Sequence, residues 1–166
     1  MLIDDGALAA LAAEAGAALR QAGWRLALAE SCTGGWLAKA VTDIAGSSGW
    51  FERGFVTYSN LAKEQQLGVS AGVLAAHGAV SAAVAEAMAR GALRASTAEV
   101  ALAISGIAGP DGGTADKPVG LVWFALALRA GATRSQSHVF EGNRDAVRRA
   151  AVAEGLALVA EAARGR

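Results

Sequence analysis

The stretch that most narrows what this chain can become is Leu28 to Gly35, L-A-E-S-C-T-G-G, where an apolar run ends at a hydroxyl, a thiol and a second hydroxyl before two glycines. That order reads as a strand, a tight turn and the start of a helix. Such a turn lifts Ser31 out of a sheet and leaves the amides of Thr33, Gly34 and Gly35 unpaired at the start of the next helix. A nucleophile and an anion cradle then lie within a few residues of each other. The competing account is local: Ser31 or Thr33 simply caps the helix.

The rest of the chain alternates between helix and strand patterns. Leu8, Leu11, Ala12, Ala15 and Leu19 form one helical stripe that Gly23 ends. Arg25 to Ala29 reads as the strand feeding Ser31, and Leu37, Val41 and Ile44 repeat at helical spacing after Gly35. A glycine and serine loop, Ala45 to Trp50, precedes a short β-rich run, Phe55 to Ser59. Asn60 then reads as the cap of a short helix, Leu61 to Leu67, closed by Gly68. Two alanine-rich helices follow, Ala71 to His77 and Ser81 to about Ala95. Val100 to Ile104 is a strand-length apolar run that delivers a glycine-rich loop, Ser105 to Gly113. Val119 to Leu128 suits a central strand, Ser135 to Phe140 an edge strand, and Asn143 and Arg144 open a last helix reaching about Ala163. This mixture predicts one α/β domain over residues 1–166, a three-layer α/β/α arrangement around a mixed, mostly parallel sheet.

Charge and cysteine content restrict the function classes. Fifteen basic and 15 acidic residues cancel, so the broad basic footprint of a nucleic-acid or anionic-membrane binder is absent. No apolar run approaches the roughly 20 residues of a membrane span. The N-terminus begins with acids where an export signal carries positive charge, which makes the cytoplasm the default location. A single cysteine, Cys32, excludes an internal disulfide and any multi-cysteine metal site, and no ligand cluster argues for a metal or another cofactor. The oligomeric state is open, a homo-oligomer included.

Lys63 breaks a local rule. A cation in the first turn of a helix faces the positive end of the macrodipole, and that field together with burial lowers a lysine pKa toward that of a usable base. A surface lysine whose long stem reaches water is the alternative. Tyr58 can reach the same place, or can sit at the core edge with a solvated hydroxyl. His77 and His138 stand beside no plausible acid, so lysine is the better partner for a serine nucleophile. Cys32, a thiol near a helix start, is the rival nucleophile. The loop beginning at Ser105 and Gly106 lets backbone approach a ligand, and Asp111 and Asp116 would be needed for a metal. Arg144 is placed to hold a phosphate or carboxylate, whereas Arg148 and Arg149 read as a solvated face.

Taken together, A-E-S-C-T-G-G, F-V-T-Y-S-N-x-A-K, S-G-I-A-G-P-D-G-G and K-P-V-G, in this order, resemble the C-terminal domain family of competence/damage-inducible protein A in its stand-alone form. The resemblance runs from about Leu8 to the last helix. It implies hydrolysis of the carboxamide of nicotinamide mononucleotide to nicotinic acid mononucleotide and ammonia, a step of pyridine nucleotide recycling. It also implies Ser31 as nucleophile with Lys63 and Tyr58 handling protons. Thr33, Gly34, Gly35, Ser105, Gly106 and Arg144 are the expected substrate-binding residues. Two rival classes stand beside this one: a non-catalytic nucleotide-binding module, and an acyl-serine hydrolase acting on a different amide or ester.

Overall fold

Three segments carry the same alternation of large and small residues: L-A-L-A at 26–29, V-A-L-A-I at 100–104 and F-A-L-A-L at 124–128. Successive side chains of a strand point to opposite faces, so each segment turns its large residues one way and its alanines the other. In the computed structural model, which describes residues 3–165, these segments are neighbours in register. Leu28 lies beside Leu102 and Leu102 beside Leu126, while Ala29 lies beside Ala103 and Ala103 beside Ala125. A slip of one residue would exchange the two faces, so the packing on both sides fixes the register. Residues 1, 2 and 166, part of the expected domain and of the N-terminal stretch read for export, lie outside the described residues.

The sheet contains β1 (Leu26–Glu30), β2 (Phe51–Val56), β3 (Val100–Gly106), β4 (Leu121–Leu128) and β5 (Thr133–Val139), in the order β2-β1-β3-β4-β5. β1 is parallel to β2 and to β3, whereas β4 is antiparallel to β3 and β5. β4 alone is therefore reversed, which makes the sheet mixed and mostly parallel as expected. The large-residue face is covered by α1 (Asp5–Ala22), α2 (Trp36–Thr42) and α6 (Arg144–Ala163) through Leu19, Leu37, Val152 and Leu156. The alanine face is covered by α3 (Asn60–Leu67), α4 (Ala71–His77) and α5 (Ala82–Arg94) through Leu67, Leu74, Val84 and Met88.

From β1 the chain moves outward to β2, then returns across β1 to β3. Right-handed crossovers in opposite directions must use opposite faces, so α2 lies on one face and α3 to α5 on the other. The reversal makes the carboxyl ends of β1 and β3 a topological switch point, the place where open α/β sheets bind ligands.

Two local boundaries differ from the sequence reading. β2 starts at Phe51 and stops at Val56, because β1 pairs with Phe51, Arg53 and Gly54 across a register shift at Glu52, a stretch with little strand-like apolar signature. The cap of α3 is Ser59, whose side chain accepts from the Ala62 amide at 3.0 Å, and Asn60 is already helical.

The alanine face lets helices come close, and Gly91 marks the tightest approach. A Cβ there would lie 2.1 Å from the carbonyl oxygen of Leu67 at the end of α3. Alanine at a helix-interior glycine ordinarily gains up to about 1 kcal/mol. Here the backbone clash reverses the sign: Gly91→Ala is expected to destabilise the protein by about 1–3 kcal/mol in urea unfolding. A more stable Gly91→Ala protein would show that α3 is free to move away from α5.

Candidate active site

Glu30 ends β1, but the sheet continues one residue further, since the Ser31 amide donates to the carbonyl of Ile104 at 2.9 Å. By strand alternation Ser31 extends the column of Ala27 and Ala29 and shares their face with α3. Ser31 borders a cleft of about 280 Å³ at the switch point, together with Tyr58, Lys63, Ser105, Gly106 and Arg144. Asp111 is on its rim as well, while His77 and His138 are not among its lining residues.

Lys63 projects from the first turn of α3 and is only 1% exposed. Its Nζ lies 3.0 Å from Ser31 Oγ, 2.8 Å from the carbonyl oxygen of Thr57 and 3.2 Å from that of Tyr58. Burial disfavours the ammonium form and lowers its pKa from the usual 10.5 to about 8. Ser31 itself is 8% exposed. The structure thus brings the expected nucleophile and the expected base into direct contact from positions 32 residues apart.

Tyr58 stands differently from the sequence expectation. Its side chain is 61% exposed, and its hydroxyl accepts a hydrogen bond from Arg144 Nη2 at 3.1 Å, so that only its carbonyl reaches Lys63. Arg144 also donates from Nη1 to the carbonyl of Gly109 at 2.8 Å, which ties the start of α6 to the glycine-rich loop at the cleft mouth. Ser105 is buried beneath the cleft, with its hydroxyl donated to the carbonyl of Ala79 at 2.7 Å. Gly106 owes its lack of a side chain to packing, since a Cβ would sit 2.8 Å from the carbonyl oxygen of Leu121.

Of the three amides expected to form an anion cradle, those of Thr33, Gly34 and Gly35, the structure engages the last two within the turn. The Gly34 amide donates to the carbonyl of Ser31 at 3.1 Å, and the Gly35 amide donates to Glu30 Oε2 at the same distance. Thr33 is fully buried, with its hydroxyl donated to Glu30 Oε2 at 2.6 Å. The Glu30 carboxylate beneath the turn thus takes the Gly35 amide and the Thr33 hydroxyl, and the Ser31 carbonyl takes the Gly34 amide. Gly34 and Gly35 instead border a separate depression with Trp36, Lys39 and Arg148.

Glu30 is the site residue the sequence reading passed over. It is 1% exposed and further accepts the amides of Leu37 at 3.0 Å and Ala38 at 2.8 Å. The available signal was an acid closing an otherwise apolar strand just before a helix start, where negative charge is favoured. Arg148 and Arg149 are likewise corrected: both guanidinium groups lie over the Trp36 ring, at 5.1 and 4.9 Å from its centroid. Arg148 donates to the carbonyls of Cys32 and Thr33 at 3.1 and 3.0 Å, and Arg149 pairs with Asp5 and Asp145. Cys32, the rival nucleophile, is buried, and that burial pushes its thiol up to about 11 rather than down. A thiol so shifted is protonated at neutral pH.

Among the described residues no group of three or more histidine, cysteine, aspartate and glutamate side chains is arranged to hold a metal ion. No helix among them is long and apolar enough to cross a membrane.

Comparisons with known proteins converge on one family. The CinA C-terminal domain profile matches residues 8–163. The nicotinamide-nucleotide amidohydrolase PncC of Escherichia coli K12 is 57% identical over 152 residues, which covers 92% of each chain. A CinA-like protein of Geobacter sulfurreducens is 60% identical over 129 residues, 78% of this chain but 31% of that longer protein. Among solved structures, a CinA superfamily protein of Klebsiella pneumoniae 700603 superposes with a TM-score of 0.91 at 41% identity, covering 96% of this chain and 99% of the other. Profile, sequence and fold agree, and this chain belongs to the CinA C-terminal domain family.

Proposed function

We propose that this protein hydrolyses the carboxamide of nicotinamide mononucleotide, with Ser31 as nucleophile and Lys63 as general base, in the recycling of pyridine nucleotides in the cytoplasm. The observation that carries the mechanism is the set of contacts at Lys63 Nζ. A neutral amine has two hydrogens and one lone pair. The ammonium donates to Ser31 Oγ and to the carbonyls of Thr57 and Tyr58; in the neutral amine those two carbonyls take the hydrogens and the lone pair is left for the hydroxyl of Ser31. The substrate assignment is supported by the activity named for the Escherichia coli relative.

The reaction follows from that geometry. Lys63 takes the hydroxyl proton as Ser31 Oγ attacks the amide carbon, forming a tetrahedral oxyanion beside the new ammonium. The positive charge of the buried Lys63 stabilises the oxyanion. This matters because the Gly34 and Gly35 amides are already engaged. Collapse breaks the C–N bond, Lys63 returns the proton to the departing nitrogen, and ammonia leaves an acyl-serine. Water, deprotonated by Lys63, then cleaves the ester to give the acid and restore Ser31. No step requires a cofactor. At the open end of the cleft, Arg144 is held by Gly109 and by the Tyr58 hydroxyl, which suits it to the ribose phosphate. Tyr58 then acts on proton transfer through its carbonyl contact to Lys63 and on binding through its hydroxyl.

Purified protein is expected to release ammonia from nicotinamide mononucleotide, and Ser31→Ala to lower kcat by at least about 10³-fold while still binding the substrate. Near-wild-type turnover by Ser31→Ala would place the nucleophile elsewhere. Release from unrelated amides at equal efficiency would favour a general amidase.

Lys63 sets the pH dependence. Below about 8 the amine is protonated and has no lone pair for Ser31, so kcat/KM should fall about tenfold for each pH unit lower and level off above that value. Lys63→Arg retains charge but cannot release its proton at neutral pH, and should be as inactive as Lys63→Ala. An active Lys63→Arg enzyme would reduce Lys63 to an electrostatic support.

Arg144→Ala should weaken the nucleotide about 10- to 100-fold, the cost of a lost charge-assisted hydrogen bond, and leave the nucleoside nearly unchanged. Equal losses for both, in side-by-side kinetics, would remove the phosphate from Arg144.

A further inference from the structure

The turn at Ser31 is held by a carboxylate on its donors and a guanidinium on its acceptors. Four donors of the turn and of the start of α2 converge on Glu30: the Thr33 hydroxyl and the Gly35 and Leu37 amides reach Oε2, and the Ala38 amide reaches Oε1. The turn's acceptors, the carbonyls of Cys32 and Thr33, go to the Arg148 guanidinium, which comes from α6 and lies over the Trp36 ring. We propose that Glu30 and Arg148 are a positioning pair that aims Ser31 at Lys63, a role that rests on Ser31 being the nucleophile.

Strand geometry makes this more than helix capping. Glu30 and Ser31 are consecutive at the end of β1 and must point to opposite faces. Leu26 and Leu28 place the Glu30 column on the large-residue face, under the start of α2, while Ser31 falls on the alanine face toward α3. As long as the carboxylate is bound to the amides of α2, the next residue cannot rotate away from Lys63. Arg148 closes the other half of the turn, so Cys32 and Thr33 cannot swing outward. The Gly35 that precedes α2 contributes no side-chain cap of its own, so Glu30 does this from the strand. A shift of about 1 Å between reacting groups is enough to cost roughly 10²-fold in rate. The pair acts on rate through Ser31 and touches neither substrate nor Lys63.

The test separates aiming from stability and from the nucleophile assignment. Wild type, Glu30→Gln, Arg148→Met and Ser31→Ala are compared in three readouts. These are circular dichroism with thermal unfolding, the rate of Ser31 modification by phenylmethanesulfonyl fluoride followed by intact mass, and kcat and KM on nicotinamide mononucleotide. Glu30→Gln retains size but turns an amide donor toward the amides it now accepts from. The expected result is a folded protein in which both modification rate and kcat fall about 10- to 100-fold, with KM changed by no more than about threefold. Arg148→Met should behave in the same direction and carries the test if Glu30→Gln does not fold. Folded variants that are less stable yet react with the sulfonyl fluoride at the wild-type rate would overturn the proposal and leave Glu30 a helix cap. Wild-type protein unlabelled at Ser31, with Ser31→Ala still hydrolysing the amide, would overturn the nucleophile assignment itself and the pair with it.

Discussion

A lysine amine placed against a serine hydroxyl in a site almost closed to water is hard to build, because desolvation favours moving the lysine outward. Lys63 stays because Thr57 and Tyr58, at the link between β2 and α3, turn their carbonyls inward and give its hydrogens somewhere to go. The same burial that opposes the charged form favours the neutral amine, the form the proposed mechanism needs to take the proton of Ser31. The contact also ties the tip of β1 to the first turn of α3, so the site and the packing of α3 onto the sheet are one problem.

Topology brings the parts together. The reversal of strand order at β1 opens a space at the carboxyl ends of β1 and β3, and the two crossovers leave from opposite faces. One crossover starts with α2, whose amides are held by Glu30; the other starts with α3, which carries Lys63. Two neighbouring residues of β1 therefore serve two layers. Glu30 holds the start of α2 on one face, and Ser31 faces the layer that carries Lys63.

Much of this was readable from the sequence where the signal is local. The strand-turn-helix at Leu28 to Gly35, the unusual Lys63, the opening of α6 at Asn143 and the stop glycines at Gly23 and Gly68 all follow from side-chain chemistry within a few positions. What escaped depends on partners far along the chain. β2 starts at Phe51 because β1 pairs with it, not because Glu52 and Arg53 favour a strand. Arg148 looked solvated because its acceptors, Cys32 and Thr33, lie more than a hundred positions earlier. The Tyr58 hydroxyl was expected near Lys63 from five-residue proximity, but the side chain of Arg144, brought in by α6, takes it. Glu30 is the instructive miss. An acid inside an apolar run reads as an interruption until the amides it accepts are known, and those belong to a helix whose direction relative to the strand no periodicity specifies.

The alanine face has a consequence for how this sequence can change over time. Ala27, Ala29, Ala101, Ala103, Ala125 and Ala127 are all at most 1% exposed and close to the smallest size a side chain can have. On the opposite face, leucines and valines of similar volume can trade places, with neighbours repacking around them. Here no such exchange exists: any larger residue lifts α5, α5 meets α3 at Gly91 and Leu67, and α3 carries the amine. The two sides of one sheet thus obey different alphabets. One tolerates drift among hydrophobic residues, while the other holds a narrow spacing in which distant alanines keep Lys63 within reach of Ser31.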